Sequence, residues 1–167
     1  MREELEKALA EEFPFMRPGL PLEEQQKRGG IDNLYGAFGL ECSGGWYQLI
    51  RGLCAEITAA YEAAGELVDI VVDQVKEKFG TLRFYYHHKG QPIAIHALDS
   101  LTGGGLRIRP GGSDLRQKVA EIVAEYEEKS AHVCEVCGAA GCLRTDLRWI
   151  RTLCEEHYQE TLSLIHI

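Results

Sequence analysis

The chain has 167 residues, 45% of them hydrophobic, with 26 acidic against 18 basic side chains and a formal charge of −8. That length and composition suit one ordinary folded domain plus a small module and exclude a largely disordered chain. The charge disfavours general attraction to nucleic-acid phosphates. No apolar run reaches the eighteen or so residues of a membrane span, and Met1-Arg-Glu-Glu-Leu-Glu6 lacks the apolar core of a secretion signal, so a cytoplasmic protein is expected.

Leu5, Ala8, Leu9 and Phe13 recur at helical spacing with acids opposite, which predicts an amphipathic helix over residues 2–13. Pro14, Pro18, Gly19 and Pro21 interrupt it, and a second short helix is expected from Leu22 to Arg28 before the Gly29-Gly30 break. From Trp46, the positions Leu49, Ile50, Leu53, Cys54, Ile57, Ala60, Tyr61 and Ala64 predict a long helix ending at Gly65. The turn before it, Ser43-Gly44-Gly45, has two readings. It is a glycine turn that lets Trp46 enter the core, which the apolar face favours, or an anion site at a helix N-terminus.

Residues 67–79, rich in β-branched side chains, lead through Gly80 into Thr81-Leu-Arg-Phe-Tyr-Tyr86 and predict two paired strands. A second pair is expected at Pro92–Leu98 and Leu106–Arg109, around Gly103-Gly104-Gly105, which makes an antiparallel sheet of three or four strands. Ser113 is placed to cap a helix with the apolar face Leu115, Val119, Ile122, Val123 and Tyr126, running to about Lys129. The expected fold class is α+β, a small antiparallel sheet flanked by helices over residues 1–130, with a zinc-binding module at 131–167 packed on it.

That module carries the clearest chemistry. Cys134-Glu-Val-Cys137-Gly138 and Cys154-Glu-Glu-His157 each place two donors with two residues between them, and three thiolates with one imidazole close a tetrahedron around a single structural Zn2+. Cys142 is the alternative fourth ligand, less well placed than His157. Two short strands around Thr145 and Asp146 are expected, followed by Thr152 as an N-cap and a helix whose first turn bears Cys154 and His157. Knuckle, hairpin and helix in that order resemble a treble-clef zinc finger. With four of six cysteines in this region, the thiols are read as reduced, and Cys42 and Cys54 as small packed hydrophobes.

Other polar groups suggest weaker sites. His87, His88 and His96 with Asp99 offer a second metal or acid/base site, but adjacent strand residues point to opposite faces, so a solvated surface is favoured. Arg83, Arg107, Arg109, Arg144, Arg148 and Arg151 form a candidate set for an anionic ligand or an acidic protein surface, with Arg107 and Arg109, and Arg144 and Arg148, sharing strand faces.

Glu41-Cys-Ser-Gly-Gly-Trp-Tyr47, Gln74-Val-Lys-Glu-Lys-Phe-Gly-Thr-Leu-Arg-Phe-Tyr-Tyr86, the Cys134–Gly138 knuckle and Thr152-Leu-Cys-Glu-Glu-His157 together resemble a group of small uncharacterised proteins of bacteriophages and bacterial genomes. The resemblance implies a phage or prophage setting, hence a bacterial host cytosol, and supports the zinc ligands while assigning no reaction. This chain departs from that pattern by a glycine-rich hairpin at about 90–112. The expected function is a non-catalytic zinc-stabilised binding protein that occupies a host protein or sequesters a small anionic molecule, in a counter-defence role. The alternative is a zinc-dependent nucleic-acid-binding protein or an HNH-like nuclease. For the nuclease, the hairpin from Arg144 to Arg151 lacks the histidine that would activate a water.

Overall fold

The computed structural model describes residues 1–20, 22–27, 35–90 and 114–165. In chain order these form α1 (Glu3–Glu12), α2 (Leu22–Lys27), α3 (Tyr35–Phe38), β1 (Leu40–Glu41), α4 (Tyr47–Ala63), β2 (Ile70–Lys78) and β3 (Thr81–His88). After them come α5 (Asp114–Lys129), β4 (Cys142–Arg144), β5 (Arg151–Leu153) and α6 (Glu155–Ile165). Among the described residues no helix is long and apolar enough to cross a membrane.

The helices follow the apolar spacing. Glu3, Glu4 and Glu6 stand in the first turn of α1, where the helix dipole favours negative charge, and Pro14 follows its end. In α4 the residues Ile50, Leu53, Cys54, Ile57, Ala60 and Tyr61 form the buried face. Gly65, at φ 68°, then reverses the chain, so that Glu66 N–H donates to Tyr61 O at 3.0 Å. Cys54 lies in the core and Cys42 packs against it, both with thiols pushed up by burial, Cys42 to about 12. Ser113 and Arg28 lie outside the described residues.

The sheet is α+β in kind but mixed rather than antiparallel. Its order is β1-β2-β3, with β1 parallel to β2 (Leu40 beside Val75) and β2 antiparallel to β3 (Val75 beside Phe84). A two-residue strand carries no alternation to read, and its direction follows from α4, the helical crossover that parallel neighbours need. The predicted second hairpin at 92–98 and 106–109, and the glycine-rich segment around it apart from Gly90, lie outside the described residues. The strand expected from Leu67 begins at Ile70 instead, and Leu67 is 92% exposed.

A register shift between Val72 and Gln74 marks a bulge at Asp73. It lets Val72 and Val75, three positions apart, both be buried with Ile70, which strict alternation forbids. On this face lie Leu82 and Phe84 and, from α4 and α5, Ile57, Val119 and Val123. The free edge of β3 is closed by α5 and the turn after it: Leu82 N–H donates to Ser130 Oγ at 2.8 Å and Phe84 N–H to Glu127 Oε1 at 2.9 Å.

Candidate metal centre

The knuckle is built by backbone bonds that only its sequence permits. Gly138 N–H donates to Cys134 O at 2.8 Å and Cys134 N–H to Ala139 O at 2.8 Å, a tight reversal with Gly138 at φ 80°, a backbone region that side chains avoid. Glu135 N–H donates to Thr152 O at 3.0 Å, which ties the knuckle to β5. In the β4–β5 hairpin Cys142 faces Leu153, Leu143 faces Thr152 and Arg144 faces Arg151. Cys154 follows directly, and Tyr158 N–H donates to its carbonyl at 3.0 Å as α6 begins, so His157 stands one turn in.

These connections bring Cys134, Cys137, Cys154 and His157 together, with one donor atom from each lying within 4.8 Å of all the others. Cys134 Sγ is 3.8 Å and Cys154 Sγ 3.1 Å from His157 Nδ1, and Cys137 Sγ is 3.8 Å from Cys154 Sγ. Cys134 is fully buried and Cys137 faces solvent. Four such donors can hold a metal ion. The Cys154 thiol is drawn down to about 7, first by the backbone N–H of His157 and then by its imidazole, while His157 is raised by that same thiol. Cys142 is exposed in β4 and is not part of the cluster, so the alternative ligand is set aside. The two short strands expected around Thr145 and Asp146 are β4 and β5 on either side of those residues, whereas Thr152 is a strand residue whose Oγ1 donates to Gly80 O at 2.6 Å rather than a cap.

The cluster is seated on the main core at the Ser43-Gly44-Gly45 turn. Gly45 N–H donates to Glu135 O at 2.8 Å and Trp46 Nε1 to Val133 O at 2.8 Å, with Trp46 wholly buried. A methyl group on Gly45 would stand 2.4 Å from Cys134 O and 2.6 Å from Cys137 N. The knuckle therefore occupies the space that an anion at this turn would need, and Gly45 serves close backbone approach.

Sequence spacing did not single out Glu135, which is 5% exposed between the two knuckle cysteines. Its Oε1 accepts from Arg151 Nε at 2.8 Å and from Ser43 Oγ at 3.5 Å, joining the knuckle to β5 and to the glycine turn. An acid inside the knuckle and an arginine opposite it in β5 were the available signals.

The candidate anion-binding arginines are engaged locally. Arg144 pairs with Glu155 at 2.8 Å and lies 4.1 Å from the Tyr158 ring, and Arg83 donates to Thr81 Oγ1 and Leu82 O, both at 2.7 Å. Arg148 is exposed in the bend before β5 and shares no strand face with Arg144, because β4 has ended. Arg107, Arg109, His96 and Asp99 lie outside the described residues.

His87 and His88 correct the solvated reading. They do point apart, but each meets an aspartate: His87 Nδ1 lies 2.8 Å from Asp73 Oδ1, and His88 Nδ1 lies 2.8 Å from Asp69 Oδ1 in a buried position. Tyr61 also donates to Asp69 Oδ1. These five residues are paired across 8 to 19 positions, too far for spacing to reveal. Comparison with known protein families, curated proteins and solved structures gave no match for this chain.

Proposed function

We propose that Cys134, Cys137, Cys154 and His157 hold one structural Zn2+ in a treble-clef-like module, and that the chain is a non-catalytic binding protein. The carrying observation is the donor spacing. Tetrahedral zinc with bonds of about 2.3 Å to sulfur and about 2.05 Å to nitrogen has edges of about 3.8 Å between sulfurs and about 3.5 Å from sulfur to nitrogen. The sulfur edge between Cys137 and Cys154 is 3.8 Å, and the two edges to His157 are 3.8 and 3.1 Å. Four protein donors saturate such an ion, which then contributes folding free energy rather than an activated water.

The order of knuckle, β4–β5 hairpin and α6 supports the treble-clef reading. The resemblance to phage and prophage proteins supports a bacterial host cytosol and a role in which the protein occupies a host protein or a small anionic molecule, countering a host defence. Elemental analysis of purified protein should find one equivalent of zinc, and less than about half an equivalent would overturn the metal assignment. Native mass spectrometry of material isolated from a bacterial host should show a stoichiometric protein or small-molecule adduct. Salt-sensitive retention of DNA would instead favour a nucleic-acid role.

A further inference from the structure

We propose that the tip of the β2–β3 hairpin and the bend before β5 form one docking surface, and that its occupant is a short acidic protein segment with an apolar anchor. The proposal rests on the partner-binding reading above and names the surface and the partner chemistry.

The hairpin turns through Phe79 and Gly80, with φ of 52° and 78°, between the paired residues Lys78 and Thr81. A two-residue turn with positive φ at both centres favours Asn-Gly or Asp-Gly, and a bulky side chain there is a conformational outlier. Folding alone would not select phenylalanine at this position. The ring is not recruited to the core either, since Phe79 is 62% exposed.

Three further apolar side chains, Leu143, Trp149 and Ile150, gather at the same place from the β4–β5 region. A methyl group on Gly80 would stand 2.3 Å from Leu143 Cδ1 and 3.3 Å from Ile150 Cγ2, so β4 and the bend press on the turn. The Glu77 carboxylate links the parts, accepting from Gly80 N–H at 2.5 Å and from Trp149 Nε1 at 3.0 Å. With its N–H engaged, the Trp149 indole presents its ring to solvent at 66% exposure, and Leu143 is 41% exposed. Tryptophan and arginine are the side chains that most often dominate binding energy at protein interfaces, and Arg148 precedes Trp149 here with its side chain exposed.

Charge selects the occupant. Lys76 and Arg83 are direct cross-strand partners, a like-charge pair, and Glu41 in β1 stands beside Lys76 on its other side, so the row keeps one net positive charge. Arg144 and Arg151 also face each other, but Glu155 and Glu135 neutralise them. Neither Lys76 nor Arg83 forms an ion pair among the described residues: Lys76 lies 5.6 Å from the Tyr85 ring and Arg83 bonds neutral oxygens. Lys78 Nζ lies 5.7 Å from the Phe79 ring. An acidic segment would relieve the excess of positive charge at Lys76 and Arg83, and an aliphatic or aromatic anchor would cover Phe79, Leu143 and Trp149. A nucleic acid fits less well, because Leu143 offers no stacking face and a long polyanion would run on past the tip over a chain of charge −8.

The test pans a random twelve-residue peptide display library against the zinc-loaded full chain and measures selected peptides by fluorescence anisotropy, with oligo-dT as a parallel probe. The expected consensus pairs aspartate or glutamate with a large apolar residue. F79N and W149A, with metal content and circular dichroism unchanged, should each weaken binding about tenfold or more, and R83E should weaken it further as salt is lowered. Peptides that bind both variants as tightly as the parent chain would overturn this surface while leaving the partner-binding reading intact. Retention of oligo-dT with no peptide selected would overturn both, and a consensus without acids would overturn the occupant.

Discussion

Replacing Gly45 with alanine tests whether the metal module and the main core are one cooperative structure. The added methyl meets Cys134 O at 2.4 Å, Cys137 N at 2.6 Å and Glu135 C at 2.6 Å, all backbone atoms held by the knuckle's own bonds, so nothing flexible can yield. The knuckle must withdraw, and the bonds from Gly45 N–H to Glu135 O and from Trp46 Nε1 to Val133 O go with it. Two buried hydrogen bonds lost with some opening around Trp46 cost about 3 kcal/mol. For a chain of this size that is a fall of roughly 6–12 °C in Tm. The control is G44A, whose methyl would meet only Leu5 Cδ1 at 3.4 Å, an ordinary contact. Thermal unfolding followed by circular dichroism in excess zinc compares the two. If G45A melts within about 2 °C of G44A, the seat carries no energy and the coupling is refuted.

Ser130 is wholly buried, accepts from Leu82 N–H and donates to Glu127 O at 2.5 Å, so S130A strands a strand-edge donor and should cost about 1–3 kcal/mol in urea unfolding. Burial alone would raise the carboxyl of Asp69, but hydrogen bonds from Tyr61 and His88 and the charges of His88 and Arg116 outweigh it and hold the group below its ordinary value. Its contribution is complete above the unfolded pKa of about 4 and is lost as pH falls through the folded value, so urea midpoints of the parent chain should drop on the acid side more steeply than those of D69N. F79N, placing a residue that tolerates positive φ at the hairpin tip, should raise stability by about 1 kcal/mol in the same assay, and a loss would show that the ring supports the fold.

The helices and the donor set were legible in the sequence because each is written over short distances. The period of Ile50, Leu53, Ile57 and Tyr61 predicted α4, and two pairs of donors with two residues between them predicted the cluster that the fold brings within 4.8 Å. What stayed hidden depends on residues far apart. The parallel pairing of Leu40 with Val75 spans a helix and leaves no local pattern. The aspartates that hold His87 and His88 lie 14 and 19 residues away, and the use of Gly45 as a seat is set by a backbone some 90 positions later. The bulge at Asp73 broke the alternation from which a register is read.

The seams at Gly45 and Glu135, at Gly80 and Thr152, and at Leu82 and Ser130 join partners 90, 72 and 48 residues apart. A nascent chain thus emerges with a strand edge bare until Ser130 has left the ribosome, and with its α4 entrance uncovered and its hairpin turn unclamped until the cysteine-rich segment has followed. If the cluster holds zinc as proposed, synthesis in zinc-starved cells should lengthen that vulnerable interval and raise chaperone demand.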